Sequence, residues 1–389
     1  MAKLGEVCDI LNGYAFKSNQ YTTSGVRIIR ISNVQKGYIE DKSPVYYPCD
    51  DENVKKYELK QNDLLISLTG NVGRTALLEE KFLPAALNQR VSCVRLKEPD
   101  KVLKTYLFHL LNSDYFEQQC MKAAEGVAQK NLSPKWLFEY KIPIYSIERQ
   151  KEISNTLDKI DLLIILRKQQ LAKLDELVKA RFVEMFGDVL LNSMQWPEKT
   201  LENMADIVSG ITKGRKTAEV DLQEVPYMAV SNVKDGYIDW TTVKTILATR
   251  QEIEQYRLMP DDILMTEGGD PDKVGRGAII KVPLKNSIHQ NHIFRVRLDE
   301  QEILPSFFAE YLRHQKAKRY FLGCAKQTTG IASINMRQLR ALPTLVPPLS
   351  LQKQFAAFVE RVDRQKQTIQ QSLEKLELMK KALMQEYFG

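Results

Sequence analysis

The sequence predicts an α+β protein written twice: two duplicated α+β globules separated by an antiparallel coiled coil of two long helices, the halves related by a pseudo-twofold. Three observations carry this. A series of matched residues recurs in order about halfway along the chain, the strongest kind of architectural signal. Two stretches free of Pro and Gly carry apolar rows at seven-residue spacing. The strand signals lack the strict strand–helix alternation of a doubly wound sheet.

The repeat is read residue by residue. Residues 26–40 are VRIIRISNVQKGYIE and residues 225–239 are VPYMAVSNVKDGYID, so Ser32-Asn33-Val34 matches Ser231-Asn232-Val233 and Gly37-Tyr38-Ile39 matches Gly236-Tyr237-Ile238. Upstream, Leu4, Asp9-Ile10 and Gly13 match Leu201, Asp206-Ile207 and Gly210. Downstream, Asp63-Leu64-Leu65 matches Asp262-Ile263-Leu264, and Val72-Gly73-Arg74 matches Val274-Gly275-Arg276. Ile142-Pro143 pairs with Val346-Pro347, and each copy ends in Phe-Gly, at Phe186-Gly187 and Phe388-Gly389.

Each copy opens with a globule, residues 1–145 and 200–347. β-rich runs at Arg27–Val34, Leu64–Leu68, Val91–Leu96, Pro226–Val233, Ile263–Thr266 and Ile293–Leu298 alternate with Gly and Asn turns. Apolar spacing predicts helices over Tyr106–Lys122 and Pro305–Leu322. Each globule leads into a long helix, residues 146–187 and 348–389. The expected seam is Ile153, Leu157, Ile160, Ile164, Leu171, Leu174 and Val178 in the first, and Phe355, Val362, Ile369, Leu373, Leu376 and Leu383 in the second. Some 35 residues make a rod of roughly 50 Å. Arg167, Arg181, Lys366 and Lys380 interrupt the rows, and polar seam residues fix register at some cost in stability. Two separate amphipathic helices, each lying on its own globule, are the alternative. They are disfavoured by helices too long for their globules and matched in length. Residues 188–199, with Trp196-Pro197, read as a connector. With the rods antiparallel, one globule is expected at each end of a shared shaft.

Composition bounds the function. At 43% hydrophobic and 27% charged, 389 residues can bury sizeable cores. No run approaches the roughly 18 apolar residues of a membrane span, and the start lacks an apolar signal core, so export is not expected. Five cysteines, with no Cys-x-x-Cys pair, argue against a disulfide framework and a zinc ribbon; a reducing cytoplasm is the simplest compartment. Fifty-six Lys and Arg against 49 Asp and Glu leave +7, which permits a nucleic-acid partner without requiring one.

The search for chemistry finds no catalytic set and no metal site. Gly210–Thr217 has the wrong spacing for a phosphate loop. Val346-Pro347-Pro348-Leu349 lacks the amide and the aromatic of an adenine methyltransferase tetrad, and reads as a corner before the second rod. His289-x-x-His292 has no companion ligand. Asp63 with Glu79 and Lys81 imitates a magnesium nuclease, but the second copy has Asp262 without the second acid.

Recognition is better supported. Polar loops recur at matching positions with different content: residues 68–74 against 266–276, Asn88-Gln89-Arg90 against Gln290-Asn291-His292, and residues 129–131 against roughly 326–330. Asn, Gln and Arg read base edges, while Lys and Arg hold phosphates. Candidate DNA contacts in the first copy are Lys17, Arg30, Ser32, Asn33, Thr69, Asn71, Arg74, Asn88, Gln89, Arg90 and Lys130. In the second they are Lys213, Arg215, Lys216, Ser231, Asn232, Thr266, Glu267, Lys273, Arg276, Gln290, Asn291, His292, Lys326 and Gln327. Taken singly, each fits an ordinary solvated turn as well; the repeated set favours recognition. A two-headed protein-binding adaptor and a magnesium-dependent nuclease are the rival readings.

The layout resembles the specificity subunit of type I restriction–modification systems over essentially the whole chain. The residues that carry the resemblance are Leu4–Ile10 with Gly13 and their counterpart Leu201–Gly210, the two Ser-Asn-Val signatures, and Lys130-Asn131-Leu132-Ser133. They continue with Ile142-Pro143 leading into Glu148–Ile153, Val346–Leu349 leading into Gln352-Lys353-Gln354, and Phe186-Gly187-Asp188 followed by Asn192 and Trp196. The Pro-Pro corner is complete only in the second copy. The resemblance implies that each globule reads one half of an asymmetric, interrupted sequence in double-stranded DNA. It implies that the rods set the gap between half-sites and dock partners. Two methyltransferase subunits would methylate adenine N6 with S-adenosylmethionine, and motor-nuclease subunits using ATP and magnesium would add restriction. The chain itself would hold no cofactor and be no enzyme on its own.

Overall fold

The computed structural model describes residues 1–125, 130–215, 221–270, 273–328 and 331–389. Lys216 lies outside the described residues, as does the side chain of Gln327. The chain divides into two compact units, residues 1–169 with 370–389, and residues 170–369.

The globule of the first unit holds two four-stranded sheets. One orders its strands Cys8–Asn12, Val91–Leu96, Leu64–Ser67, Thr75–Leu77, all antiparallel. The other orders them Tyr46–Tyr47, Val26–Ile29, Ala85–Leu87, Glu58–Leu59, with the middle pair parallel. Leu64 and Ile66 enter a core shared with helices, whereas Leu65 enters a core shared with Ala76, Ala85 and Cys93. Side chains alternate faces along a strand, so a strand buried on both sides is apolar throughout, as Leu64-Leu65-Ile66 is.

The second unit repeats this plan. One sheet orders Ala205–Ser209, Ile293–Leu298, Ile263–Thr266, Gly277–Ile279; another orders Lys244–Ala248, Gln223–Met228, Ile288–His289, its second pair again parallel. Two runs expected as strands stop early. Arg27–Val34 is strand only over Val26–Ile29, and Pro226–Val233 only to Met228, each followed by a 3-10 turn. The cause is one asparagine in each copy. Asn33 Oδ1 accepts from Arg30 N at 2.8 Å while its Nδ2 donates to Glu40 O at 3.0 Å. Asn232 accepts from Ala229 N and donates to Asp239 O, both at 2.9 Å.

The helices expected over Tyr106–Lys122 and Pro305–Leu322 are each two: Lys104–Leu111 with Asp114–Ala123, and Pro305–Arg313 with Gln315–Cys324. In the first copy Ser113 starts the new helix by accepting from Phe116 N at 3.1 Å. In the second, the extended backbone of His314 separates the pair.

The long helices run Ile147–Phe186 and Leu349–Phe388. The first ends at Gly187, whose φ of +72° favours glycine. Every expected seam residue is buried or half-buried. Within the first unit the two helices pair antiparallel: Asp161 meets Lys380 at 2.5 Å and Lys168 meets Glu377 at 3.1 Å. Within the second, Asp175 meets Lys366 at 2.5 Å and Phe182 lies edge-on to Phe355. Lys366 and Lys380 therefore do not merely interrupt the seam; each finds an aspartate on the opposite helix. Such half-exposed pairs contribute little to stability, about 0–1 kcal/mol each, but oppose a shifted register.

The helices are also anchored in the globules. Ile153, Leu157, Met384 and Phe388 share a core with Leu107 and Phe116; Val178, Phe182, Phe186, Phe355 and Val362 share one with Phe307 and Phe321. A buried glutamine seals each joint. Gln150 accepts from Leu103 N at 2.8 Å and donates to Lys101 O and Tyr145 O at 2.8 and 2.9 Å. Gln352 repeats this with Leu304 N, Glu302 O and Pro347 O at 2.8, 3.2 and 2.8 Å. Nor is the connector loose: Trp196 Nε1 donates to Phe186 O at 3.0 Å, and Glu198–Thr200 pairs with Pro343–Leu345.

Candidate nucleic-acid interface

In each globule three loops meet where the central strand ends. In the first, Leu68 N donates to Arg90 O at 2.9 Å and Leu68 O accepts from Leu132 N at 2.7 Å. Gly70 N reaches Lys130 O at 3.0 Å, and Thr69 Oγ1 donates to Asn131 Oδ1 at 3.0 Å. In the second, Glu267 N donates to His292 O at 3.0 Å and Glu267 O accepts from Ile334 N at 2.8 Å. Gly268 and Gly269 pair there with Ser333 and Ala332. Residues 68–74, 88–90 and 130–131, matched by repeat alone, are thus neighbours; the second copy makes the same backbone bonds, but its third loop is Ala332–Ile334 rather than the expected 326–330.

Two glycines per copy make the junction possible. A Cβ on Gly13 would fall 1.9 Å from Asn88 O, and one on Gly210 1.9 Å from His289 O, so the first strand passes tight beneath the second loop. Gly73 and Gly275 have φ of +83° and +67°, and a Cβ there would meet Cys120 or Phe321.

The residues proposed as contacts fall into distinct groups. Lys17, Ser32, Asn71, Gln89, Arg90, Lys130, Lys213, Ser231, His292 and Lys326 are exposed. Arg30, Arg74, Glu267, Arg276, Gln290 and Asn291 are half-buried. Arg30 donates to Ser43 O at 2.7 Å and Arg74 to Gln35 Oε1 at 2.7 Å. His292 Nδ1 lies 2.6 Å from Glu267 Oε2; the carboxylate can only accept, so Nδ1 carries the proton.

Several assignments need correction. Asn33 and Asn232 are buried, with donors and acceptor occupied by their own loops, so they shape the turn and leave nothing for a base. Thr69 and Thr266 are buried as well, and Thr69 holds Asn131. Asn88 is buried, its Oδ1 enclosed without a partner among the described residues. Arg215 places both ends of its fork on Glu252, holding that carboxyl below its ordinary range, and Lys273 pairs with Asp270. The structural role of the joint pair Gln150 and Gln352 is not among the roles expected from sequence. The two glutamines stand at matching places in the repeat, which was the available signal.

The nuclease reading loses its first residue. Asp63 accepts from Arg95 Nε and Nη2 at 2.8 and 2.5 Å, and Asp262 binds Arg297 the same way at 2.7 and 2.8 Å. Glu79 pairs with Lys81 at 2.7 Å. Among the described residues no group of three or more His, Cys, Asp or Glu could hold a metal ion. His289 is buried and bonded through Nδ1 to Ile293 O at 3.1 Å, so it does not pair with His292 as a ligand set. Burial pushes the thiol of Cys8 up to about 12 and those of Cys93 and Cys120 up as well, far from nucleophile range.

Comparison with known proteins places the chain. It is 20% identical to the EcoKI specificity subunit of a type I restriction enzyme from Escherichia coli K12, over 96% of this chain and 84% of that protein. It is 32% identical to the MjaVIII specificity subunit from Methanocaldococcus jannaschii over 46% of this chain and 43% of that protein. The fold matches the crystal structure of the type I restriction–modification S subunit from M. genitalium with a TM-score of 0.59 at 16% identity, covering all of this chain and 95% of that one. The model of the type I restriction modification DNA specificity domain matches twice, over residues 1–176 and 194–378, and the chain belongs to that family.

Proposed function

We propose that each globule reads one half of an interrupted, asymmetric DNA target through its three-loop junction, and that the paired long helices hold partner subunits. The single observation behind this is that two junctions built from the same backbone bonds carry different side chains: a shared scaffold for reading two targets of one kind. Type I specificity subunits supply specificity and not catalysis, and so does this chain. Two methyltransferase subunits would methylate adenine N6, with S-adenosylmethionine bound by them; motor-nuclease subunits would bring ATP and magnesium. Methylation requires the adenine to leave the stack, and a firmly gripped duplex lowers that cost. Tethering two half-site readers in one chain raises the effective concentration of the second once the first is bound. No helix among the described residues is long and apolar enough to cross a membrane, and the cytoplasm, where the DNA lies, is the proposed compartment.

The test is to co-express the chain with its methyltransferase partner and map N6-methyladenine. The expected result is one bipartite motif with unlike halves. Binding by the complex should weaken steeply with salt as counterions are released. Salt-insensitive association with protein and no motif would establish the adaptor reading instead.

A further inference from the structure

At the junction, equivalent backbone positions carry opposite hydrogen-bonding character in the two units. The first unit places buried Leu68 beside Arg90, an exposed residue held at φ +68° that makes no side-chain hydrogen bond or ion pair among the described residues. The second places half-buried Glu267 against His292, whose Nδ1–H is occupied by the carboxylate. The same N–H···O bonds, Leu68 to Arg90 and Glu267 to His292, make these pairs counterparts.

We propose that this pair of positions sets base polarity: Arg90 reads the acceptor edge of guanine in the first half-site, and Glu267 with His292 reads the amino group of cytosine in the second. The assignment rests on the DNA-reading role above. An exposed guanidinium with no partner among the described residues offers two parallel donors, the pattern that fits guanine O6 and N7. A carboxylate on a DNA-facing loop has no favourable place on phosphate, because like charges repel. Its favourable partner is a base amino group. His292 Nδ1–H is committed to Glu267 and holds that carboxylate in place, with Asn291 Nδ2 3.5 Å from His292 Nε2. Glu267 Oε1 makes no hydrogen bond among the described residues, and a carboxylate oxygen only accepts. That suits cytosine N4, a major-groove donor without a neighbouring acceptor, better than adenine, whose N7 accepts beside N6.

The test compares motifs methylated or selected by the assembled complex. Arg90→Ala should lower preference for guanine at one position of the first half-site roughly ten- to a hundred-fold and leave the second half-site unchanged. Glu267→Gln should move one position of the second half-site from cytosine toward adenine, since an amide both donates and accepts. The double variant Glu267→Leu with His292→Arg transplants the first junction and should create a guanine preference there. This gain of function keeps the proposal falsifiable should a single variant fold poorly. Uniformly weaker binding by Arg90→Ala, with an unchanged motif and a shallower salt slope, would make Arg90 a phosphate contact and overturn the assignment. An unchanged motif in both Glu267 variants would overturn it for the second unit. A wild-type complex that selects no motif would refute DNA reading itself, a result distinct from either.

Discussion

Replacing Gln150 by alanine should loosen the first unit and leave the second intact. Gln150 is fully buried and joins helix to globule through three hydrogen bonds, to Leu103 N, Lys101 O and Tyr145 O. Truncation strands one backbone donor and two acceptors and opens a small void. A stranded buried group costs about 1–3 kcal/mol, and two lone pairs per carbonyl soften the acceptors' share, so the loss should total about 2–4 kcal/mol. Hydrogen–deuterium exchange on the full chain reads this directly. Amides of Leu107–Leu111 and Ile153–Leu157 should exchange roughly 30- to 1,000-fold faster, at about 1.4 kcal/mol per factor of ten. The amides of Phe307–Leu312 should not change. Gln352→Ala should give the mirror result through Leu304 N, Glu302 O and Pro347 O. A change below about threefold in the affected unit, or equal acceleration in both units, would refute the view that each glutamine holds its own joint.

Other outcomes are expected from the same structure. Leu373→Pro, at a buried position inside the second long helix, should cost about 3 kcal/mol or more and reduce helicity by circular dichroism; unchanged helicity would contradict the seam. Burial holds the pKa of His289 down to about 4, against an ordinary value of 6.5. The unfolded chain therefore takes up the proton first, and the second unit should lose about 3 kcal/mol as pH falls from 6.5 to 4. His289→Leu, copying Leu87 of the first copy, should remove that acid sensitivity in a pH series of denaturation curves, and a slope that persists would point elsewhere. A fragment of residues 1–187 carries one globule and one of the two long helices without its mate, so it should dimerise at micromolar concentration in light scattering and, with its partner, select an interrupted palindrome; a strictly monomeric fragment would argue against antiparallel pairing.

Much of the architecture is legible because it is written twice. Matched tripeptides located equivalent turns and strand ends, and the heptad rows located both long helices, whose seam residues are all at least half-buried. What stayed hidden depends on side chains folding back on their own backbone. Nothing in Ser-Asn-Val distinguishes a base-reading amide from one that staples a turn, and Asn33 and Asn232 do the latter. Arg215 looked available for phosphate until Glu252, 37 positions on, closed over it. The break at Ser113 was masked because the apolar spacing of Tyr106–Lys122 continues through the cap. Charge differences between the copies were equally opaque. Lys36 binds Asp114 and Glu117 at 2.6 and 2.8 Å, while Asp235, its counterpart, lies 3.5 Å from Lys318 and 3.9 Å from Arg313. A mismatch in the alignment is the same latch with its polarity reversed.

That reversal shows which residues can change and which cannot. Asp63–Arg95 and Asp262–Arg297, and the two joint glutamines, recur with the same partners. These bonds lie within the cores or against them, where an unpaired group is expensive. At the junction the demand is different. Strand end and loops are held there by main-chain bonds, which any residue but proline can make, so Leu68 can become Glu267 and Arg90 can become His292 without loosening the scaffold. Stability resides in side-chain pairs that repeat, and specificity in side chains whose backbone does the holding. A fold divided in this way can change its DNA target by substitutions at the loops while its joints to the long helices stay the same.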